Sequence, residues 1–233
     1  MAVMVAILWR ELRALISAPR CPSCGGPAAE RPEGLPVALC GPCLGRLQLP
    51  CGGVQGDQPL LWCALAAYAG PLRQLLLRQR PTPQPALVAA LAAELHRCCA
   101  SAVAGCQLVP IPSWKRAANP LPALLAGALV QASGGGTRLA PQLLRRRRVT
   151  VGQHHLNRRQ RLANQQGSFA AALAPAAPAL RPSSNGAPLW LVDDILTTGA
   201  TALAAANALQ QAGWAVEGLI CLGRTPGAAT PVI

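Results

Sequence analysis

The chain has 233 residues, 52% hydrophobic and only 3% aromatic, enough for one good-sized domain and a small module with a core of Ala, Leu and Val. Its formal charge of +13 comes from 20 arginines and one lysine against eight acids. That balance points to phosphorylated metabolites or nucleic acid, unless it is simply a solvated basic face. Ten cysteines at this length, with no signal-peptide pattern, exclude a small secreted disulfide scaffold; no apolar run approaches the roughly eighteen residues of a membrane span, and a cytoplasmic protein is expected.

Met1 to Ile16 carries apolar residues at Ile7, Leu8, Leu12, Leu15 and Ile16, close to helical spacing, and is expected to be a docking helix, with a membrane-surface helix as the alternative. Two knuckles follow, Cys21-Pro-Ser-Cys24 and Cys40-Gly-Pro-Cys43. In each, Gly or Pro turns the chain so that both sulfurs face one point. Fifteen residues between the pairs suit a tetrahedral four-cysteine zinc site, structural because no position is left for a catalytic water. Cys51 and Cys63 stand alone, whereas Cys98, Cys99, Cys106 and Cys221 lie in apolar segments and read as small buried residues.

Gln48 to Gln58 is turn-rich and reads as a linker, which divides the chain into a helix and knuckle module over 1–60 and a main domain over 61–233. Leu61 to Arg80 holds Tyr68-Ala-Gly-Pro-Leu-Arg73 and a helical run. Pro81 to Pro85 interrupts it, and Ala86 to Cys99 is a further helix. Gln107 to Ile111 is a short strand leading into Pro112, Lys115 and Arg116, a pair suited to charge-assisted hydrogen bonds with a dense polyanion, or a solvated turn. Leu121 to Ala132 is a helix closed by Ser133-Gly-Gly-Gly136, and Leu139 to Leu144 is a predicted strand. Arg145 to Arg148 opens a polar stretch with Thr150, Gln153, Leu156, Arg161, Asn164, Gly167 and Phe169. Four consecutive arginines suggest a nucleic-acid patch or a solvated face. His154 and His155 in this loop are given no catalytic role. Ala170 to Pro188, rich in Ala, Pro and Ser, reads as a loose connection.

Leu189 to Val192 is a short apolar run read as a buried strand. It ends in adjacent carboxylates, Asp193 and Asp194. Thr197-Thr198-Gly199-Ala200-Thr201 and an Ala/Leu helix over Ala202 to Ala212 come next. Unpaired N–H groups at a helix start attract an anion, and Gly199 lets the backbone approach it closely. The plainer alternative is a turn with a threonine N-cap. Ala215 to Leu222 is the last strand, and Arg224 to Ile233 reads as a tail. Alternation of strands and helices predicts an α/β fold with a parallel sheet and a ligand site at the strands' carboxyl ends.

The stretch VDDILTTGAT, Val192 to Thr201, resembles the phosphoribosyl pyrophosphate (PRPP) signature of the type I phosphoribosyltransferases. The series Arg146, Arg148, Thr150, Gln153, Leu156, Arg161, Asn164 and Phe169, with the knuckles, resembles the ComF branch of that superfamily. Tyr68 to Arg73 looks like its entry into the transferase domain. Arg78 and Arg80 stand where many members place a lysine, and after Pro112 only Asn119 matches the family's continuation. The resemblance implies a type I phosphoribosyltransferase fold, a parallel sheet flanked by helices, behind a small four-cysteine zinc-finger module. It also implies 5-phosphate binding by Thr197, Thr198, Gly199, Ala200 and Thr201, and pyrophosphate binding by Lys115 and Arg116. Asp193, Asp194, Arg146 and Arg161 would carry catalysis with Mg²⁺. Arg148, Thr150, Gln153 and Asn164 would sit in a loop closing over the site. Its expected activity is phosphoribosyl transfer to an acceptor that the residues do not specify, with release of pyrophosphate. A competence protein that binds single-stranded DNA without catalysis, keeping PRPP as a signal or a vestigial ligand, is the alternative.

Overall fold

The computed structural model describes residues 19–28, 37–113, 119–147, 167–173 and 187–226. The expected helix over 1–16 and most of the polar stretch after Arg147 lie outside them.

Among the described residues the strands are β1 (Val54–Gly56), β2 (Trp62–Ala67), β3 (Gln107–Pro110), β4 (Arg138–Leu139), β5 (Leu144–Arg146), β6 (Phe169–Ala171), β7 (Leu189–Leu196) and β8 (Val216–Arg224). The helices are α1 (Gly41–Leu47), α2 (Gly70–Gln79), α3 (Pro85–Val103), α4 (Leu121–Ala132) and α5 (Ala200–Gln211). Six strands form one sheet in the order β1-β2-β8-β7-β3-β4, parallel throughout except for the antiparallel edge pair β1–β2. The strands β5 and β6 make a separate antiparallel pair.

Two apolar clusters sandwich the sheet, and strand alternation divides the residues between them. In β7, Trp190 and Val192 enter the cluster beneath α2, α3 and α4, while Leu189 and Leu191 enter the one beneath α5 and the β5–β6 pair. Cys63 and Leu65 of β2 join the first cluster, Trp62 and Ala64 the second. With few aromatics, closeness comes from leucine and alanine: Leu91, Leu95, Leu108, Leu125 and Leu209 are wholly buried. Each such leucine contributes about 1.5–3 kcal/mol of transfer free energy.

Helices α1 to α4 each carry a proline in the first turn, where the missing N–H costs nothing and φ is already helical. The 19-residue α3 is long and apolar enough by composition to cross a membrane, but Leu87, Leu91 and Leu95 are buried in the core beneath α4 and β2.

Several boundaries differ from expectation. Val54–Gly56, inside the expected linker, is an edge strand, and Cys21, Leu39, Cys43 and Leu47 share one apolar cluster with the sheet. The apolar run over 139–144 is divided: Leu139 closes β4, Pro141 starts a single 3-10 turn, and Leu144 begins β5. Phe169, expected to end the polar stretch, and Ala170 and Ala171, expected to start a loose connection, instead form β6. Arg224, expected in a tail, ends β8.

Candidate functional site

The parallel sheet brings two chain exits together. Pro110 of β3 pairs with Val192 of β7, and Ile111 N–H donates to the Val192 carbonyl at 2.9 Å. The Pro110-Ile111-Pro112 exit therefore runs beside Asp193 and Asp194.

Asp194 is 2% exposed and is held by two donors from separate elements. Its Oδ2 receives Arg80 Nε at 2.6 Å and Asn119 Nδ2 at 2.8 Å. Arg80 sits at the carboxyl end of α2, where buried Gln79 accepts the Gln84 N–H at 2.7 Å and fixes the break before α3. Asn119 turns its own Oδ1 to the Leu121 N–H at 3.3 Å, tying the start of α4 to the site. Asp193 Oδ1 accepts the Asp194 N–H at 2.9 Å. Its carboxyl is pushed well above the usual carboxylate range by burial, then by the neighbouring Asp194 charge. The pair is thus unequal: one carboxylate is neutralised by partners, the other favours its proton.

From the opposite side, Arg146 of β5 donates Nε to the Pro112 carbonyl at 3.2 Å and lies over the Phe169 ring, 4.6 Å from its centroid. Burial lowers its pKa while the Asp193 charge raises it, so the arginine faces the acidic pair electrostatically. Phe169 is its cross-strand partner, which explains why a phenylalanine closes the polar stretch.

The loop after β7 is shaped by residues that the sequence did not single out. Arg224 Nη1 donates to the Leu196 carbonyl at 3.2 Å and to the Thr197 carbonyl, with its guanidinium 5.3 Å from the Trp62 centroid. Trp62 donates its indole N–H to the Gln58 carbonyl at 3.0 Å. Gly199 has φ +79°, and a Cβ there would stand 2.2 Å from Pro59 Cγ. Glycine is therefore required twice, by backbone and by space. Among the described residues no side chain caps α5, so the alternative of a threonine N-cap is not met and the first-turn N–H groups are left for another acceptor. Among the described residues Thr198 Oγ1 is buried with no hydrogen-bond partner, so a polar ligand there would satisfy it.

The site thus gathers Asp193, Asp194, Arg146 and Thr197 to Thr201, and adds Arg80, Asn119 and Arg224. Lys115, Arg116, Arg148, Thr150, Gln153, Arg161 and Asn164 lie outside the described residues. Arg78, which sequence could not separate from Arg80, is exposed on α2. Asp194 is already engaged by two donors, so the two aspartates do not form a direct Mg²⁺ cage.

The knuckles converge as their spacing predicts. The sulfurs of Cys21, Cys24, Cys40 and Cys43 all lie within 4.8 Å of one another. Cys24 and Cys40 approach to 3.6 Å, and the Cys40 N–H donates to Cys21 Sγ at 3.4 Å. Burial pushes the Cys21 thiol up, but the Cys40, Ser23 and Cys24 N–H groups outweigh it and bring it to about 6. Cys40 is lowered by the Cys43 N–H yet driven to about 12 by burial and the neighbouring cysteines. Four converging sulfurs fit a structural cation such as Zn²⁺, under which thiols bind as thiolates. Cys63 lies against Cys99, which lowers the Cys63 thiol, and Cys98 senses both Cys63 and Cys51. Among the described residues only the knuckle sulfurs meet the spacing of a metal set.

No protein-family model matches the chain. It is 31% identical over 216 residues to the DNA utilization protein YhgH of Salmonella typhimurium, covering 88% of this chain and 84% of that protein. To the protein of the same name from Salmonella typhi it is 30% identical over 216 residues, with the same coverage. An α/β chain with a mostly parallel sheet and an N-terminal four-cysteine cluster, matched over most of its length to these relatives, belongs to the family of the DNA utilization protein YhgH.

Proposed function

We propose that the protein serves DNA utilisation as a binding protein for single-stranded DNA. The observation that carries this is the similarity to YhgH over 88% of the chain. A net charge of +13 supplies the electrostatic attraction that a polyphosphate partner needs. The test is binding of a fluorescent oligothymidylate over a salt series: affinity should fall steeply as salt rises, and absent or salt-insensitive binding would overturn the reading.

A second reading concerns the strand-end site, and the unpartnered Thr198 hydroxyl beside an uncapped helix start favours it. On this reading the domain has the type I phosphoribosyltransferase fold of the ComF branch, and the site takes PRPP or a related ribose phosphate. The 5-phosphate would rest on N–H groups and hydroxyls of Thr197 to Thr201. The ribose hydroxyls would face Asp193 and Asp194, and Arg146 would meet the pyrophosphate. Mg²⁺ would arrive with the ligand's own phosphates. Transfer of the phosphoribosyl group to an acceptor, releasing pyrophosphate, is the activity this implies. Calorimetry with PRPP and Mg²⁺ tests it: heat lost in the Asp193→Asn, Asp194→Asn double variant supports the reading, and no heat with the natural protein overturns it.

A further inference from the structure

The charges of this chain are segregated. Between Glu94 and Asp193 the sequence contains no Asp or Glu and twelve Lys or Arg. Among the described residues that stretch includes the sheet edge β3–β4, helix α4 and the β5–β6 pair, with Arg97, Arg138, Arg145, Arg146 and Arg147.

Strand alternation then divides the arginine run. Arg146 points inward, over Phe169 and towards Pro112. Its neighbours Arg145 and Arg147 take the other face, since successive side chains of a strand point to opposite sides. Both are exposed, and Arg147 N–H continues the ladder by donating to the Ser168 carbonyl at 2.8 Å. Three of the described acids are engaged elsewhere: Asp194 with Arg80, Glu94 with Arg97, and Asp193 in the site. Neither Arg145 nor Arg147 makes an ion pair among the described residues.

We propose that Arg145 and Arg147 form a phosphate-tracking surface for single-stranded DNA, on the opposite face of β5 from the ribose-phosphate site. The proposal rests on the single-strand reading above and gives it a location. Residues two apart on a strand are about 6.5–7 Å from each other, the scale of successive phosphates along an extended strand. A fork-shaped guanidinium suits each phosphate.

The experiment measures binding of fluorescent oligothymidylate, and of a duplex of equal length, between about 50 and 200 mM salt. Natural protein is compared with R145Q/R147Q, R145K/R147K and the charge-matched control R73Q/R78Q, whose sites are exposed on α2. Loss of two single-strand phosphate contacts should reduce the slope of log affinity against log salt by about 1.4. The lysine variant and the control should keep the natural slope, single strands should be preferred over duplex, and calorimetric binding of PRPP should not change. An unchanged slope in R145Q/R147Q, or an equal loss in the control, would overturn this surface while leaving the single-strand reading intact. Absence of binding by the natural protein would overturn both, and a preference for duplex would overturn the choice of partner.

Discussion

Arg80 and Asn119 share a single oxygen of Asp194, at 2.6 and 2.8 Å, although 39 residues separate them in the chain. Helices α2 and α4 are thereby tied to the end of β7 through one buried carboxylate. Asn119→Ala leaves that carboxylate with one donor fewer and is expected to cost about 1–3 kcal/mol. Arg80→Ala is expected to cost less, about 1–2 kcal/mol, because its side chain is 40% exposed and water can replace it. As the two donors meet on one atom, the double variant should depart from additivity by at least about 0.5 kcal/mol in urea unfolding. Strict additivity would mean that the oxygen is not shared in solution.

Gly199→Ala tests the loop at α5. Left-handed backbone costs a non-glycine residue about 1–2 kcal/mol, and displacing Pro59 adds about 1–3 kcal/mol of overpacking. A total of roughly 2–5 kcal/mol is expected from denaturant midpoints at constant slope. A neutral result would show that Pro59 does not cover Gly199.

The knuckles predict one zinc per chain by elemental analysis. Cys21 and Cys43 share a cluster with Leu39, Leu47 and Leu76, so removing the metal loosens the core as well as the module. A strong chelator should release the zinc and lower Tm, and Cys43→Ser should do the same without chelator. A chelator that leaves Tm unchanged would contradict this.

Asp193 predicts a pH dependence. Its folded pKa is raised above the ordinary value of 3.8, so the ionised form destabilises the fold at neutral pH. As pH falls through the raised folded value towards about 3.8, the carboxyl gains its proton and that cost disappears. Asp193→Asn should therefore be more stable than the natural protein at neutral pH, with the advantage shrinking on acidification. Equal Tm differences across that window would refute the assignment.

Local chemistry made much of this protein legible in its residues. Cys-x-x-Cys spacing turns two thiols to one point whatever surrounds it, and the knuckle sulfurs meet as expected. The apolar run into Asp193-Asp194 and the glycine at 199 likewise predict a strand end and a close-approach loop, because period, charge and backbone freedom act over a few residues. Tertiary structure decided what acts across the chain. Arg78 and Arg80 are alike in sequence, but only one reaches Asp194, since the break held by Gln79 sets the direction in which α2 ends. Arg224 ends a strand whose neighbours are 27 and more residues away, so no local pattern could assign it to the Thr197 carbonyl. The four arginines look uniform as a run. Pairing of β5 with β6 sends Arg146 to the site and leaves Arg145 and Arg147 outside, because a pleated strand alternates its faces and the register with Phe169 fixes which is which.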